Sequence, residues 1–168
     1  MDCLSQTTPY NVVKPQHQGV RMELALCYQI KSPMAQINAY INFNGNAREA
    51  MSFYKECFGG ELVMQKIGES PMAAQLPGEL VNKILHSSLK SEGIELMASD
   101  CMGEKIIVGD NIWLNVTCSS DEEIEQYFTS LSKGGKITEP LHQTFWGATF
   151  GVLTDKFGIY WMFHYSKQ

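Results

Sequence analysis

The chain repeats itself, and this repeat limits the fold more than any single motif does. Residues 37–43 (INAYINF) alternate as a strand does. Asn44-Gly45-Asn46 turns the chain, and Asn46 with Glu49 has the spacing of a capping box. Ala47, Ala50, Met51, Tyr54, Cys57 and Phe58 then recur at helical spacing and make one apolar face. Gly59-Gly60 ends that helix, and residues 61–67 read as a second strand. The second half copies the pattern. Residues 111–118 (NIWLNVTC) read as a strand. Ser119/Glu122 and Ser120/Glu123 both match a capping box. Ile124, Tyr127, Phe128 and Leu131 line a helix, and Gly134-Gly135 closes it. Neither half buries enough apolar area alone, so the two should share a sheet.

The remaining strands complete each half. Residues 83–90 and 93–99 form a hairpin around Ser91-Glu92-Gly93. Its register puts His86, Ser88 and Lys90 on one face with Ser99, Met97 and Glu95, and Ile94, Leu96 and Ala98 on the other. Residues 68–82 carry two Pro and two Gly without a strand period and read as a long loop, a feature that often covers a site. In the second half, residues 136–139 read as a short strand and 140–144 as a loop. Residues 146–153 and 159–165 then pair across the turn Thr154-Asp155-Lys156-Phe157-Gly158, which is assigned no chemistry. Both of these runs are apolar on both faces. One face must meet a helix, and the other a cavity or a partner chain. Gly147 and Gly151 inside the first run imply a close approach to the backbone, by packing or by a ligand.

Composition excludes several classes. With 44% hydrophobic and 18% charged residues the chain is globular in character. A net charge of −5 and the lack of a Lys/Arg run argue against nucleic acid and anionic membranes as partners. The five cysteines, Cys3, Cys27, Cys57, Cys101 and Cys118, form no CxxC and fit a reducing cytoplasm rather than a disulfide framework. No apolar run reaches the length of a membrane span. Residues 1–33 are polar, proline-containing and without period. They read as a weakly structured extension before one domain at 34–168, with modules at 34–100 and 111–168 and a linker at 101–110.

The segments YINFNGNAREAMSFYKECFGGE (40–61) and TFWGATFGVLTDKFGIYWM (144–162) resemble the PhnB-like branch of the vicinal oxygen chelate superfamily, which includes glyoxalase I and bleomycin-resistance proteins. The resemblance spans about 37–165. It implies an α+β fold of two βαβββ modules in a curled mixed sheet, helices outside, a ligand site inside, and a homodimer. The branch also carries a label relating it to a demethylubiquinone methyltransferase, but the sequence has no Gly-rich strand-to-helix loop of the kind that cradles a methyl donor. Metal-using relatives take one ligand from the first and last strand of each module. By strand position these fall on Ala39, Glu95, Asn111 and Met162, of which Glu95 alone is an ordinary ligand. No cofactor is expected, and a divalent metal is disfavoured.

Two sets of candidate residues follow. His86 and Glu95 are the candidate catalytic groups. His86 has the titration range of a general base and would need an acceptor to fix its tautomer; otherwise it is a half-buried strand histidine with one hydrogen bond. Glu95, opposite Lys90, is a proton acceptor if enclosed and a rim ion pair if not. Tyr40, Met97, Trp146, Tyr160 and Met162 are the candidate ligand-binding residues. Trp146 with Phe145 floors a pocket or sits in the core, and the methionines offer a soft apolar lining. The expected activity is the binding of a small apolar or aromatic molecule without a metal. The alternative is a metal- or His-assisted lyase, isomerase or thiol transferase on a small oxygenated substrate. A third reading gives both apolar faces to core and dimer contacts.

Overall fold

A computed structural model describes residues 35–103 and 105–167; the expectation for residues 1–33 lies outside them. The first module runs β1 (Ala39–Phe43), α1 (Ala47–Phe58), β2 (Glu61–Lys66), β3 (Ile84–Ser91) and β4 (Ile94–Asp100). The second runs β5 (Leu114–Thr117), α2 (Asp121–Leu131), β6 (Lys136–Gln143), β7 (Ala148–Thr154) and β8 (Tyr160–Ser166). This is the expected α+β pair of βαβββ modules. The two sheets have matching orders, β1-β4-β3-β2 and β5-β8-β7-β6, with β1 parallel to β4 and β5 parallel to β8. The modules do not share a hydrogen-bonded sheet, because no ladder joins β1 to β5. They share a core instead, in which Met51, Tyr54 and Leu89 of one half are continuous with Ile124, Leu131 and Trp161 of the other. No helix among the described residues is long and apolar enough to cross a membrane.

Helix α1 exists because its apolar residues fall on one face, which is buried from Ala47 to Phe58. Its N-terminus corrects the sequence reading. The side chain of Asn46 makes no cap hydrogen bond. Asp100 takes that role from across the fold: its Oδ1 accepts from the Ala47 N–H at 2.9 Å and its Oδ2 from the Ile84 N–H at 2.8 Å. Asp100 is the buried last residue of β4. A carboxylate there satisfies an orphan helix N–H and complements the helix dipole. Helix α2 takes Ser120 as its N-cap, as one of the two expected boxes has it, but the returning Glu123 carboxylate reaches Ser119 rather than Ser120, and no Ser119/Glu122 box forms. Ser120 Oγ accepts from the Glu123 N–H at 3.1 Å, and Glu123 Oε2 accepts from the Ser119 N–H and hydroxyl.

The second module departs from the sequence reading in two places. Residues 136–143 form one strand, not a short strand and a loop, with Pro140 inside it. This is permitted because β6 is an edge strand, where the missing N–H faces no ladder, and the register shifts on either side of Glu139. The next strand starts at Ala148, so Trp146 lies in the turn before it and Gly147 takes φ +86°. Gly151 does sit within the strand. A Cβ there would come 2.8 Å from Leu141 Cδ2 and 2.9 Å from Phe128 Cε2, so helix packing is the close approach. The long loop resolves into three 3₁₀ turns, Ile67–Glu69, Pro71–Gln75 and Gly78–Leu80. Its base is tied by Ile67 N–H to Lys83 O and Gly68 N–H to Val81 O.

Asp155, in the β7–β8 turn, joins the halves. Its Oδ2 accepts from the Tyr54 hydroxyl of α1 and from Trp161 Nε1 of β8, each at 2.8 Å. Its Oδ1 accepts from the Phe157 and Ile159 N–H groups at 2.8 and 3.0 Å. Burial and the neighbouring carboxylate push the Tyr54 hydroxyl well above its usual pKa, which keeps it a donor. The turn read as chemically empty thus carries the buried charge on which α1 docks against the second module.

Two predictions follow. Asp155→Ala strands two side-chain donors and should cost roughly 3–5 kcal/mol in urea unfolding, against roughly 1–3 kcal/mol for Tyr54→Phe. The hydrogen bonds from Ser119 hold the Glu123 carboxyl below its ordinary range. Its stabilising effect is then present above the unfolded carboxyl pKa and lost as pH falls through the folded one. Unfolding curves of Glu123→Gln should fall below wild type at neutral pH and converge with it in acid.

Candidate ligand site

The strand register decides which side chains share a face. In the first module Tyr40 pairs with Met97, and Met97 with Ser88, on the sheet face turned away from α1. His86 lies on the same face beside Gln65. The rings of Tyr40 and His86 stack at 5.9 Å and 29°, with the Tyr40 hydroxyl 3.4 Å from His86 Nδ1. Glu95 faces Lys90 at 3.3 Å, as the hairpin register required, and accepts from Asn38 Nδ2 at 3.2 Å. With 68% of the Lys90 side chain exposed, this is a rim pair worth under about 1 kcal/mol. In the second module Met162 pairs with Asn115, and Tyr160 stacks on Trp113 at 5.4 Å and 20°. Superposing Ala39–Leu96 on Leu114–Trp161 makes Met97 and Met162 counterparts, and likewise Glu95 and Tyr160.

Where the edges of β1 and β5 approach, a cavity of about 480 Å³ opens. Tyr40 and Tyr160 both line it, one from each module, together with Ile41, Ile107, Val108 and Ile112. No charged side chain is among its lining residues. Met97 sits next to Tyr40 in the register but does not line this cavity, and neither do Met162, His86 or Glu95. Trp146 lies elsewhere, in the β6–β7 turn, 59% exposed and edge-to-face with Phe145, so it is neither core nor β-strand. The sequence reading missed the outer wall. The linker at 101–110 carries Ile106-Ile107-Val108, an apolar signal out of place in a solvated spacer, and Ile112, expected in a strand, instead precedes β5.

The donor set does not suit the divalent ion that metal-using proteins of this fold hold. Ala39 pairs with Leu96 on the helix side, and Asn111 precedes β5, so two of the four positions aligned by strand are misplaced. On the outer face Asn38 hydrogen-bonds Glu95 and Trp113 stacks on Tyr160 in one row, and Tyr40 pairs with Met97 and Asn115 with Met162 in the next. The first row has one carboxylate and the second none, which is poor ligation for a hard cation. No group of three or more His, Cys, Asp or Glu side chains converges among the described residues. Two thiols are poorly placed for chemistry: burial pushes the Cys57 thiol up to about 11 and the Cys118 thiol up to about 12.

Paired βαβββ modules with this strand order define a protein of the glyoxalase/bleomycin-resistance fold, and solved members of that group share it at 13–15% identity, a likeness of fold alone. The chain belongs to the 3-demethylubiquinone-9 3-methyltransferase family, whose sequence profile it matches over residues 35–163. It is 31% identical over 141 residues to YjdN of Escherichia coli K12, covering 79% of this chain and 96% of YjdN. Protein PA1353 of Pseudomonas aeruginosa is 37% identical, with a TM-score of 0.69 over 80% of this chain and all of that one. The PhnB protein of Bacillus cereus is 28% identical, with a TM-score of 0.64 over 79% of this chain and all of that one. The residues described here do not fit the methyl donor that the family name implies. Helix α1 follows β1 through Asn44-Gly45-Asn46, and α2 follows β5 through Cys118-Ser119-Ser120. Neither is a glycine-rich cradle, and α2 begins with Asp121, Glu122 and Glu123, which repel a phosphate or carboxylate.

The thiol assignment is directly testable. A disulfide reagent at pH 8 should leave Cys57 and Cys118 unmodified in the folded chain and modify both after denaturation, read by peptide mass mapping.

Proposed function

We propose that this protein binds a small, uncharged apolar or aromatic molecule at the seam between its modules, without a metal, as a homodimer. The observation that carries this reading is the cavity of about 480 Å³ that brings Tyr40 and Tyr160 together under an aliphatic wall. A neutral aromatic ring gains stacking from both tyrosines and burial against Ile41, Ile107 and Ile112, while the hydroxyls and Asn42 offer uncharged hydrogen bonds. An ionic ligand would lose hydration there without a countercharge. Self-association is supported by the apolar stretch that walls the cavity: Ile107, Val108 and Ile112 are 95%, 70% and 75% exposed in the single chain. The glyoxalase-fold relatives supply the architecture for such a site and not its ligand.

A second reading has one specific observation behind it. The Tyr40 hydroxyl beside His86 Nδ1 is a geometry in which an imidazole could move a proton to or from a bound oxygenated substrate. His86→Ala would abolish turnover on that reading and leave ligand affinity largely intact on the first.

The binding reading is tested with 1-naphthol as probe. Saturable binding at one site per chain is expected, weakened at least about tenfold by Tyr160→Ala and Tyr40→Ala, with 1-naphthoate bound far more weakly. Absence of saturable binding, or binding indifferent to both tyrosines, would overturn it. Light scattering should give a dimer mass that Ile107→Asp shifts toward monomer.

A further inference from the structure

The two halves differ at one point of the repeat, and that difference leaves a second cavity. Matching Leu89–Leu96 with Leu153–Trp161 shows that the β3–β4 turn is one residue shorter than the β7–β8 turn. The longer turn spends its residues on a plug. Phe157 inserts its ring against Phe43, Phe53 and Tyr54, at 5.8–6.2 Å between centroids. Lys156 beside it places Nζ 3.4 Å from Glu49 Oε1 and 4.7 Å from the centre of the Phe53 ring. The shorter turn, Ser91-Glu92-Gly93, has no residue to match the plug.

The seat itself is repeated. Matching the helices from their N-caps, Asn46 and Ser120, makes Glu123 the counterpart of Glu49, Tyr127 of Phe53 and Phe128 of Tyr54. Glu123 and Tyr127 line a cavity of about 380 Å³ between the modules, closed by Glu92, Gly93, Val116 and Trp161. The first half fills its seat with a ring and a cation; the second half leaves space open beside Glu123 and Tyr127, with Phe58 edge-on to Tyr127 at 5.1 Å and Phe128 outside the lining. One oxygen of Glu123 accepts from Ser119 and the carboxylate also meets the Tyr127 hydroxyl, whereas Glu92 in the turn makes no ion pair among the described residues and is the carboxylate left for a ligand.

We propose that this cavity is a separate binding site for a small aromatic ammonium compound, whose ring occupies the place of Phe157 and whose cation occupies the place of Lys156. The chemistry is that of the filled seat: edge-to-face aromatic contact, a cation over a ring and a carboxylate as counterion. The cavity borders the uncharged seam cavity, sharing Ala39 and Leu114 with it, but Glu92, Glu95, Glu123 and Tyr127 line this one alone. Its carboxylates favour the opposite ligand class, so the two sites discriminate by charge.

The test uses the full chain and calorimetric titration with 2-phenylethylamine. One molecule per chain should bind, with 2-phenylethanol at least about fivefold weaker and 3-phenylpropionate not detectably bound. Glu92→Gln should weaken the amine several-fold. Inserting Phe between Glu92 and Gly93, which restores the length of the other turn, should abolish binding and raise Tm. If that insertion fails to fold, Val116→Phe fills the same space and should also abolish binding. Equal binding of the alcohol or the acid, no binding of the amine, or unchanged affinity in the filled variant would overturn the proposal. Because Tyr40 and Tyr160 do not line this cavity, Tyr160→Ala should leave amine binding unchanged, which separates this site from the seam site.

Discussion

One buried carboxylate holds the two halves of this fold in relation to each other. Asp155 receives a hydroxyl from α1, an indole N–H from β8 and two backbone N–H groups of its own turn. A lone buried carboxylate would be costly, but four donors satisfy both oxygens, and the cost is turned into geometry. Tyr54 and Trp161 cannot both reach Asp155 unless α1 lies against the second module at one position. That position also sets the Phe157 ring edge-on to Phe43 at the end of β1. The seam cavity is a consequence of this docking, because sheets that share no ladder are free to leave space between their edges.

Much of the architecture is visible in the sequence because it is written locally. Helical spacing in α1 and α2, Gly59 at the end of α1, and the register that sets Lys90 against Glu95 all depend on residues a few positions apart, although α2 stops at Ser132, before the Gly134-Gly135 pair. The features that escaped depend on distant partners. Asp100 reaches Ala47 across 53 positions, and Asp155 reaches Tyr54 across 101. In sequence both look like turn residues, for which Asp is common, and nothing nearby marks them as buried. Asn46 and Glu49 match a capping box well enough to be believed, yet Asp100 caps the helix through the Ala47 N–H, and the Asn46 side chain stays unused.

The candidate site was partly legible for the same reason. Strand alternation placed His86, Glu95 and Met97 on one face of the hairpin, whereas the side of β1 that joins them, that of Tyr40, came only with the register. Alternation could not say which of them border a cavity, because that depends on how the edges of β1 and β5 approach. Trp146 was misplaced because its aromatic neighbours have high strand propensity, whereas Gly147 beside it takes a positive φ and makes the position a turn. The apolar residues of the linker were passed over because the segment lacks a period. Their exposure in the folded chain is what marks them.

The central claim is that ligand binding happens at the seam and engages both modules at once. Hydrogen exchange of the full chain, followed by mass spectrometry with and without saturating 1-naphthol, tests it most directly. The account predicts that protection rises together in peptides covering residues 39–42, 106–112 and 158–160, with little change in the β6–β7 turn. Protection confined to one module, or centred on the Phe145–Trp146 turn, would contradict it.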